Sequence, residues 1–119
     1  MNSMFSDNYY LKSLDISYFG TSKVSVMFKM FNLCVNIETL DFSHFRVWSV
    51  LDMSSMFRNS YNLKPLDLSA FDKSNIRDML SIFEGCDKLN YLDVSSFKTS
   101  NVKDMALKIQ TYQRIKICQ

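Results

Sequence analysis

Four aspartates at a constant interval are the residues whose type and spacing most suggest chemistry. Asp15, Asp41, Asp67 and Asp93 lie 26 residues apart, and each is followed two positions later by a serine. If equivalent positions lie side by side, neighbouring carboxylates approach to roughly 5 Å. One interpretation is an acidic ladder that binds a cation or another ligand. The favoured interpretation is structural: each aspartate accepts hydrogen bonds from backbone N–H groups or hydroxyls of adjacent turns, since a scaffold needs the same residue in every unit.

Positions that differ between units are better suited to specific recognition. Near each aspartate, the sequence places polar and aromatic residues that vary along the chain. The best partner-binding candidates are Tyr18, Glu38, His44 and Tyr91. The alternative is a solvated face with no partner.

Several kinds of chemistry are not supported by the sequence. His44 is the only histidine, and no nucleophile and acid can be argued to converge on it. The three cysteines lack metal-ligand spacing, and no glycine-rich phosphate loop occurs. We therefore expect no enzyme activity, catalytic residue, cofactor or metal. The net charge of +2 without a basic stripe argues against a nucleic-acid partner.

The aspartates and the partner-binding candidates belong to a nine-residue stretch that occurs four times in the chain. This repeat predicts the elements that position them. The copies, which begin at residues 11, 37, 63 and 89, are LKSLDISYF, IETLDFSHF, LKPLDLSAF and LNYLDVSSF. A fixed period in the twenties is typical of a solenoid whose units stack only on their neighbours. Alternating apolar and polar residues around each aspartate predict a strand with one buried face. The phenylalanine that ends each copy is expected to close a turn by stacking on its equivalents.

The second half of each unit has the apolar spacing of a helix. In the third unit the apolar residues recur at i, i+3, i+7 and i+10, behind the cap residues Ser74 and Asn75, and they are Ile76, Met79, Phe83 and Cys86. The predicted fold class is therefore α/β: a leucine-rich-repeat-like solenoid of four 26-residue strand–turn–helix units, with a parallel sheet on one face. The recurring methionines are expected to be core, and Gly85 is expected to adopt a positive φ where a helix ends.

The chain is predicted to be a single domain over residues 1–119. The repeat core covers about residues 4–107, and residues 108–119 form either a degenerate unit that caps the stack or a frayed tail. Exposed terminal strands favour end-to-end self-association. No signal peptide or membrane-spanning segment is recognised.

The repeated unit, as in LDLSAFDKSNIRDMLSIFEGC and LDVSSFKTSNVKDM, resembles the BspA-like leucine-rich repeat surface protein family over about residues 4–107. That resemblance implies a non-enzymatic protein-binding module, acting in surface adhesion or host interaction through the exposed sheet face, on a cell-surface or secreted protein. The alternative is an intracellular interaction scaffold of the same fold, which the lack of a signal peptide favours; the location would then be cytoplasmic. The sequence does not identify the protein partner.

Overall fold

The computed structural model describes residues 1–71 and 75–95, together with the backbone of residues 114–116. Its regular elements are short. They are a 3-10 helix at Ser69–Phe71 and two strands, β1 at Tyr91–Asp93 and β2 at Arg114–Lys116. The two strands form a parallel two-stranded sheet in which Leu92 is opposite Ile115.

The predicted α/β class was wrong. The described part of the chain contains no α-helix, and the predicted four-stranded sheet over the aspartates is absent from it. The half of each unit that was predicted to be helical is instead an extended, turn-rich segment. It lies over residues 1–7, 26–33, 52–59 and 78–85, which we call the ladder segments.

Hydrogen bonds between neighbouring repeats explain why the ladder segments are not helical. Alternate N–H groups donate to the carbonyl 25 residues later, as from Phe5 to Met30, from Phe31 to Met56 and from Phe57 to Ile82 at 2.8–3.0 Å. Isolated parallel bridges join Val26 to Asp52 and Asp52 to Asp78. An α-helix would direct these N–H groups to the carbonyl four residues earlier, so the two patterns exclude each other.

The remaining N–H groups of the ladder segments close tight turns. Met30 donates to Met27 at 3.2 Å, and Cys34, directly after the segment, donates to Phe31 at 3.4 Å, so that Lys29 and Leu33 are the third residues of these turns. The third residue of such a turn has a positive φ, as a type II turn requires. Two positions in each segment adopt this conformation, and they are Ser3, Lys29, Ser55 and Ser81, then Asp7, Leu33, Asn59 and Gly85. Gly85 has the expected positive φ of 75°, although no helix precedes it.

The core is built from columns of equivalent residues, one from each repeat. Met27, Met53 and Met79 are buried, which confirms the prediction for these three methionines, and Met105 lies outside the described residues. Next to them, four phenylalanine rings stack with centroids 5.3–5.8 Å apart and nearly parallel planes, in the order Phe5, Phe31, Phe57 and Phe83. Offset stacking of this kind adds to the free energy gained by burial. The rings therefore fix the register of neighbouring repeats.

The apolar positions of the first half of each unit face the same core. Nine of the twelve predicted positions are buried, and Leu11, Leu14 and Leu66 are partly buried against the core. The phenylalanines after the serines do not behave as predicted. Phe19 stacks on Phe5, whereas Phe45 and Phe71 each meet the ring of Phe42 edge-on.

The predicted cap or tail at residues 108–119 lies outside the described residues, except for the backbone of β2. The β1 and β2 partners are 23 residues apart, as in the pair Tyr91 and Arg114, and not 26. The pairing of β1 with β2 is therefore shifted by three residues from the 26-residue repeat.

Candidate binding face

The aspartates and all four partner-binding candidates lie on one surface, which we call the Asp–Ser face. It is formed by residues 12–18, 38–44, 64–70 and 90–95, whose polar side chains are mostly exposed. Neighbouring segments are joined by backbone hydrogen bonds from Glu38 to the Lys12 carbonyl and from Lys64 to the Glu38 carbonyl, at 3.3 and 2.9 Å. These bonds hold equivalent positions side by side.

Each aspartate of the face makes the same local hydrogen bond. Its Oδ1 accepts from the backbone N–H of the serine two residues later at 2.9 Å, and in the first repeat the Ser17 hydroxyl adds a bond of 2.6 Å. The partners therefore lie in the same repeat and not in the adjacent one. Hydrogen bonds from Ser17, Ser43 and Ser69 lower the pKa of Asp15, Asp41 and Asp67, respectively, below its ordinary value.

This geometry gives the aspartate column a structural role at the start of a turn. Asp52 and Asp78 in the ladder segments make the equivalent bond, to Ser54 and Leu80, so the motif is not confined to the Asp–Ser face. Within the described ranges, no three His, Cys, Asp or Glu side chains are grouped so that they could hold a metal ion.

Tyr18 and His44 lie at the same position of neighbouring repeats. Tyr18 is 93% exposed. His44 is also exposed, and its Nδ1 lies 3.1 Å from the Ser43 hydroxyl. The structure thus brings these two candidates to the edge of the face formed by the first two repeats.

Glu38 forms an ion pair, with Oε2 2.6 Å from Lys64 Nζ and both side chains about half exposed. The hydrogen bond from Lys64 and its positive charge lower the pKa of Glu38. A partner that uses Glu38 must therefore compete with Lys64 for the carboxylate.

Tyr91 lies at the opposite edge of the face, three repeats away from Tyr18 and five positions earlier within its own repeat. It is 45% exposed and its hydroxyl lies 3.5 Å from Asp93 Oδ2. Tyr91 forms one wall of an open groove of about 360 Å³, which we call the Pro65–Tyr91 groove. The other residues that line it are Pro65, Leu66, Asp67, Leu68, Ser69, Asp93 and Ser95.

A change in backbone bonding coincides with this groove. Glu38 and Lys64 each donate to the preceding repeat, but Asn90, the next residue in the series, donates to the Lys88 carbonyl at 3.0 Å. The third and fourth repeats are therefore not joined there as the first three are. Pro65 and Asp67 were not predicted to line a groove with Tyr91. A signal was present, because Ser13 and Thr39 occupy the position at which the later repeats have Pro65 and Tyr91.

A second column of hydrogen bonds lies under the ladder segments. The thiols of Cys34 and Cys86 and the hydroxyl of Ser60 donate to the carbonyls of phenylalanines 29 residues earlier, at 3.1, 3.0 and 2.7 Å. Both cysteines are buried. Burial raises the pKa of Cys34 to about 11 and that of Cys86 to about 12, which keeps these thiols protonated and unreactive at neutral pH.

Among the residues that the structure describes, no helix has the length and apolar character needed to cross a membrane.

Comparison with known proteins gives one family. Its model is described as "Mycoplasma protein of unknown function, DUF285", and it matches in two overlapping stretches, residues 1–64 and 34–114. The overlap agrees with the internal repeat, because a second match begins one repeat or more after the first. No curated protein and no solved structure matches the chain. Since the two stretches cover most of its length, the chain belongs to the DUF285 family.

Proposed function

We propose that this protein is a non-enzymatic, protein-binding repeat module that engages a partner through the Asp–Ser face. The observation that carries the proposal is the exposure of large aromatic side chains on a hydrogen-bonded frame. The side chains of Tyr18 and Tyr91 are 93% and 45% exposed, respectively. Neighbouring residues of the same segments are buried in the core, which holds the backbone that carries the two tyrosines. Exposed tyrosines are enriched among residues that dominate binding energy, because they bury a large area with little loss of side-chain freedom.

The exposed positions also differ in chemistry from one repeat to the next. Tyr18 and His44 offer aromatic and hydrogen-bonding groups at one edge, and Tyr91 offers an aromatic ring beside carboxylates at the other. Such a surface is suited to an extended partner that crosses several repeats. Glu38 and Lys64 lie between the two edges and neutralise each other in the unbound protein.

A displayed library of random peptides, panned against the folded protein, tests this function. We expect enriched peptides whose binding is weakened by Tyr18→Ser together with Tyr91→Ser. The matched control is Tyr10→Ser, because Tyr10 is 91% exposed but lies outside the Asp–Ser face. Thermal unfolding of both variants must remain close to that of the wild type. Absence of enrichment, or equal weakening by Tyr10→Ser, would contradict the proposed face.

The proposed setting is the cell surface, where such a module acts in adhesion or host interaction. The resemblance to BspA-like surface repeats supports this proposal. Labelling intact cells with a membrane-impermeant reagent, followed by fractionation of the full-length protein, tests it. Recovery of the protein only from the cytoplasmic fraction would favour an intracellular scaffold.

Copies of the chain are also proposed to associate end to end. In the N-terminal ladder segment, Met4 is 56% exposed, whereas its equivalents Met30 and Met56 are fully buried beneath a neighbouring repeat. A second copy placed on this edge would bury Met4 in the same way. Sedimentation velocity over a range of protein concentrations is expected to show association that Met4→Ser weakens. A monomer at all concentrations would refute it.

A further inference from the structure

The Pro65–Tyr91 groove has a composition that the other repeats do not provide. Its apolar surface comes from Pro65, Tyr91 and the adjoining leucines, and its charge comes from the Asp67 and Asp93 carboxylates. At the same two positions the first and second repeats place Ser13 and Thr39 beside Asp15 and Asp41. An aromatic ring and a carboxylate therefore meet in an open groove only between the third and fourth repeats of the described Asp–Ser face.

The two repeats are joined by a bond from the Lys88 N–H to the Tyr61 carbonyl at 3.1 Å, but not at the next position of the series, beside the groove. The N–H of Asn90 donates to the Lys88 carbonyl instead of continuing the series to Lys64. Pro65 has no N–H with which to bridge the gap. The lack of a bond between Asn90 and Lys64 therefore contributes to the opening of the groove.

The charge in the groove is negative. Asp67 is exposed, and the bond from the Ser69 N–H to its Oδ1 holds the carboxylate in place and lowers its pKa. A fixed carboxylate next to an aromatic face is complementary to a planar cation with an apolar stem. Arginine provides all three features, since the guanidinium pairs with carboxylates, stacks on aromatic rings and carries three methylene groups.

Building on the proposed protein-binding function, we propose that the Pro65–Tyr91 groove binds an arginine side chain of an extended segment in the partner protein. The guanidinium pairs with the Asp67 carboxylate and stacks against the Tyr91 ring. Its methylene stem packs along Pro65, which gives a basic residue a defined position at this edge of the Asp–Ser face.

The test uses small peptides as probes, so that it does not require the natural partner. Amide signals of the isotope-labelled protein are followed by NMR during titration with acetyl-Gly-Arg-Gly-amide. We expect saturable shifts confined to residues 66–69 and 91–95. The peptide with citrulline in place of arginine is neutral and nearly the same shape, and we expect it to produce no saturable shift.

Matched variants separate the two contacts. Tyr91→Leu keeps an apolar side chain but removes the ring, and Asp67→Asn keeps the bond from Ser69 but removes the charge. Each is expected to weaken arginine-peptide binding about two- to fivefold, as typical exposed cation–π and ion-pair contacts would. Asp41→Asn is the control, because Asp41 makes the same 2.9 Å bond to its serine but lies in another repeat.

Two results would overturn the arginine site: equal shifts with the citrulline peptide, or unchanged affinity in Asp67→Asn. Either result leaves the protein-binding function intact if library peptides still depend on Tyr18 and Tyr91. The converse outcome is that the arginine peptide binds while the library selection enriches no peptide at all. That result would contradict the protein-binding function but would leave the arginine site in the Pro65–Tyr91 groove supported.

Discussion

Replacement of Ser60 by alanine is expected to destabilise the protein through the loss of a single buried hydrogen bond. The Ser60 side chain is fully buried, and its hydroxyl donates to the Phe31 carbonyl at 2.7 Å. The carbonyl retains only a long bond of 3.4 Å from the Cys34 N–H. Leaving a buried acceptor without its partner costs about 1–3 kcal/mol, and the remaining weak bond places this case at about 1–2 kcal/mol.

The change is measurable by urea unfolding followed by the fluorescence of Trp48, the only tryptophan. For a chain of this length, about 1–2 kcal/mol corresponds to a decrease in Tm of roughly 4–8 °C. Ser60→Cys is expected to cost less than Ser60→Ala, because Cys34 and Cys86 occupy the equivalent position and donate to the equivalent carbonyls.

Ser25→Ala is the control, since Ser25 is exposed and surface changes of this kind alter stability by no more than about 0.5 kcal/mol. A Ser60→Ala variant as stable as the wild type would show that the bond to the Phe31 carbonyl does not contribute this stability. The same conclusion would follow if Ser60→Cys were the more damaging of the two changes, because the bond to the carbonyl would then not explain the requirement at this position.

Three further predictions concern the turns and the titrating groups. Gly85→Ala is expected to cost about 2 kcal/mol in urea unfolding, because φ is 75° and the added Cβ would lie 2.4 Å from Asn59 Oδ1; Asn59→Gly should recover part of this loss. In the folded protein the pKa values of Asp15, Asp41 and Asp67 lie below their ordinary value of 3.8. Their contribution to the free energy of unfolding is therefore present above pH 3.8 and is lost as the pH falls through the lower folded values. Replacing all three by asparagine should flatten the Tm against pH in this range, and an unchanged slope would contradict the assignment. In alkali, the raised pKa values of Cys34 and Cys86 predict stability that is present below their ordinary pKa of 9.0 and lost as the pH rises through about 11 and 12. In a Cys118→Ser background, a thiol reagent should label the unfolded protein at both sites and the native protein at neither; rapid native labelling would argue against burial.

The repeat period and the buried columns could be predicted from the sequence because burial follows directly from the pattern of apolar residues. Met27, Met53, Phe42 and Val94 are buried as expected. The helix prediction failed because inward residues at i, i+3, i+4 and i+7 are also produced by consecutive tight turns. A local sequence signal for these turns would be residues that favour a positive φ, and Lys29 and Leu33 are not residues of that kind.

The candidate face was predictable in part. The exposure of Tyr91 follows from its alternation with the buried Leu92 and Val94. Tyr18 and His44 depart from this alternation, because each is exposed although it lies two residues after a buried residue. The groove was not predictable, because it depends on where one N–H donates. Nothing in the residue type of Asn90 indicates that it bonds to Lys88 instead of continuing to Lys64.

The bonds between ladder segments all run in one direction, from the N–H of an earlier repeat to the carbonyl of a later one. Within the ladder segments of such a stack, one outer edge consequently presents acceptors and the other presents donors, whereas the bonds of the Asp–Ser face run the opposite way, as from Glu38 to Lys12. Two identical edges cannot form this ladder with each other, so a two-fold symmetric dimer must use other contacts. Association that continues the ladder joins unlike edges, and such heterologous contacts extend into open filaments unless a terminal unit blocks further addition.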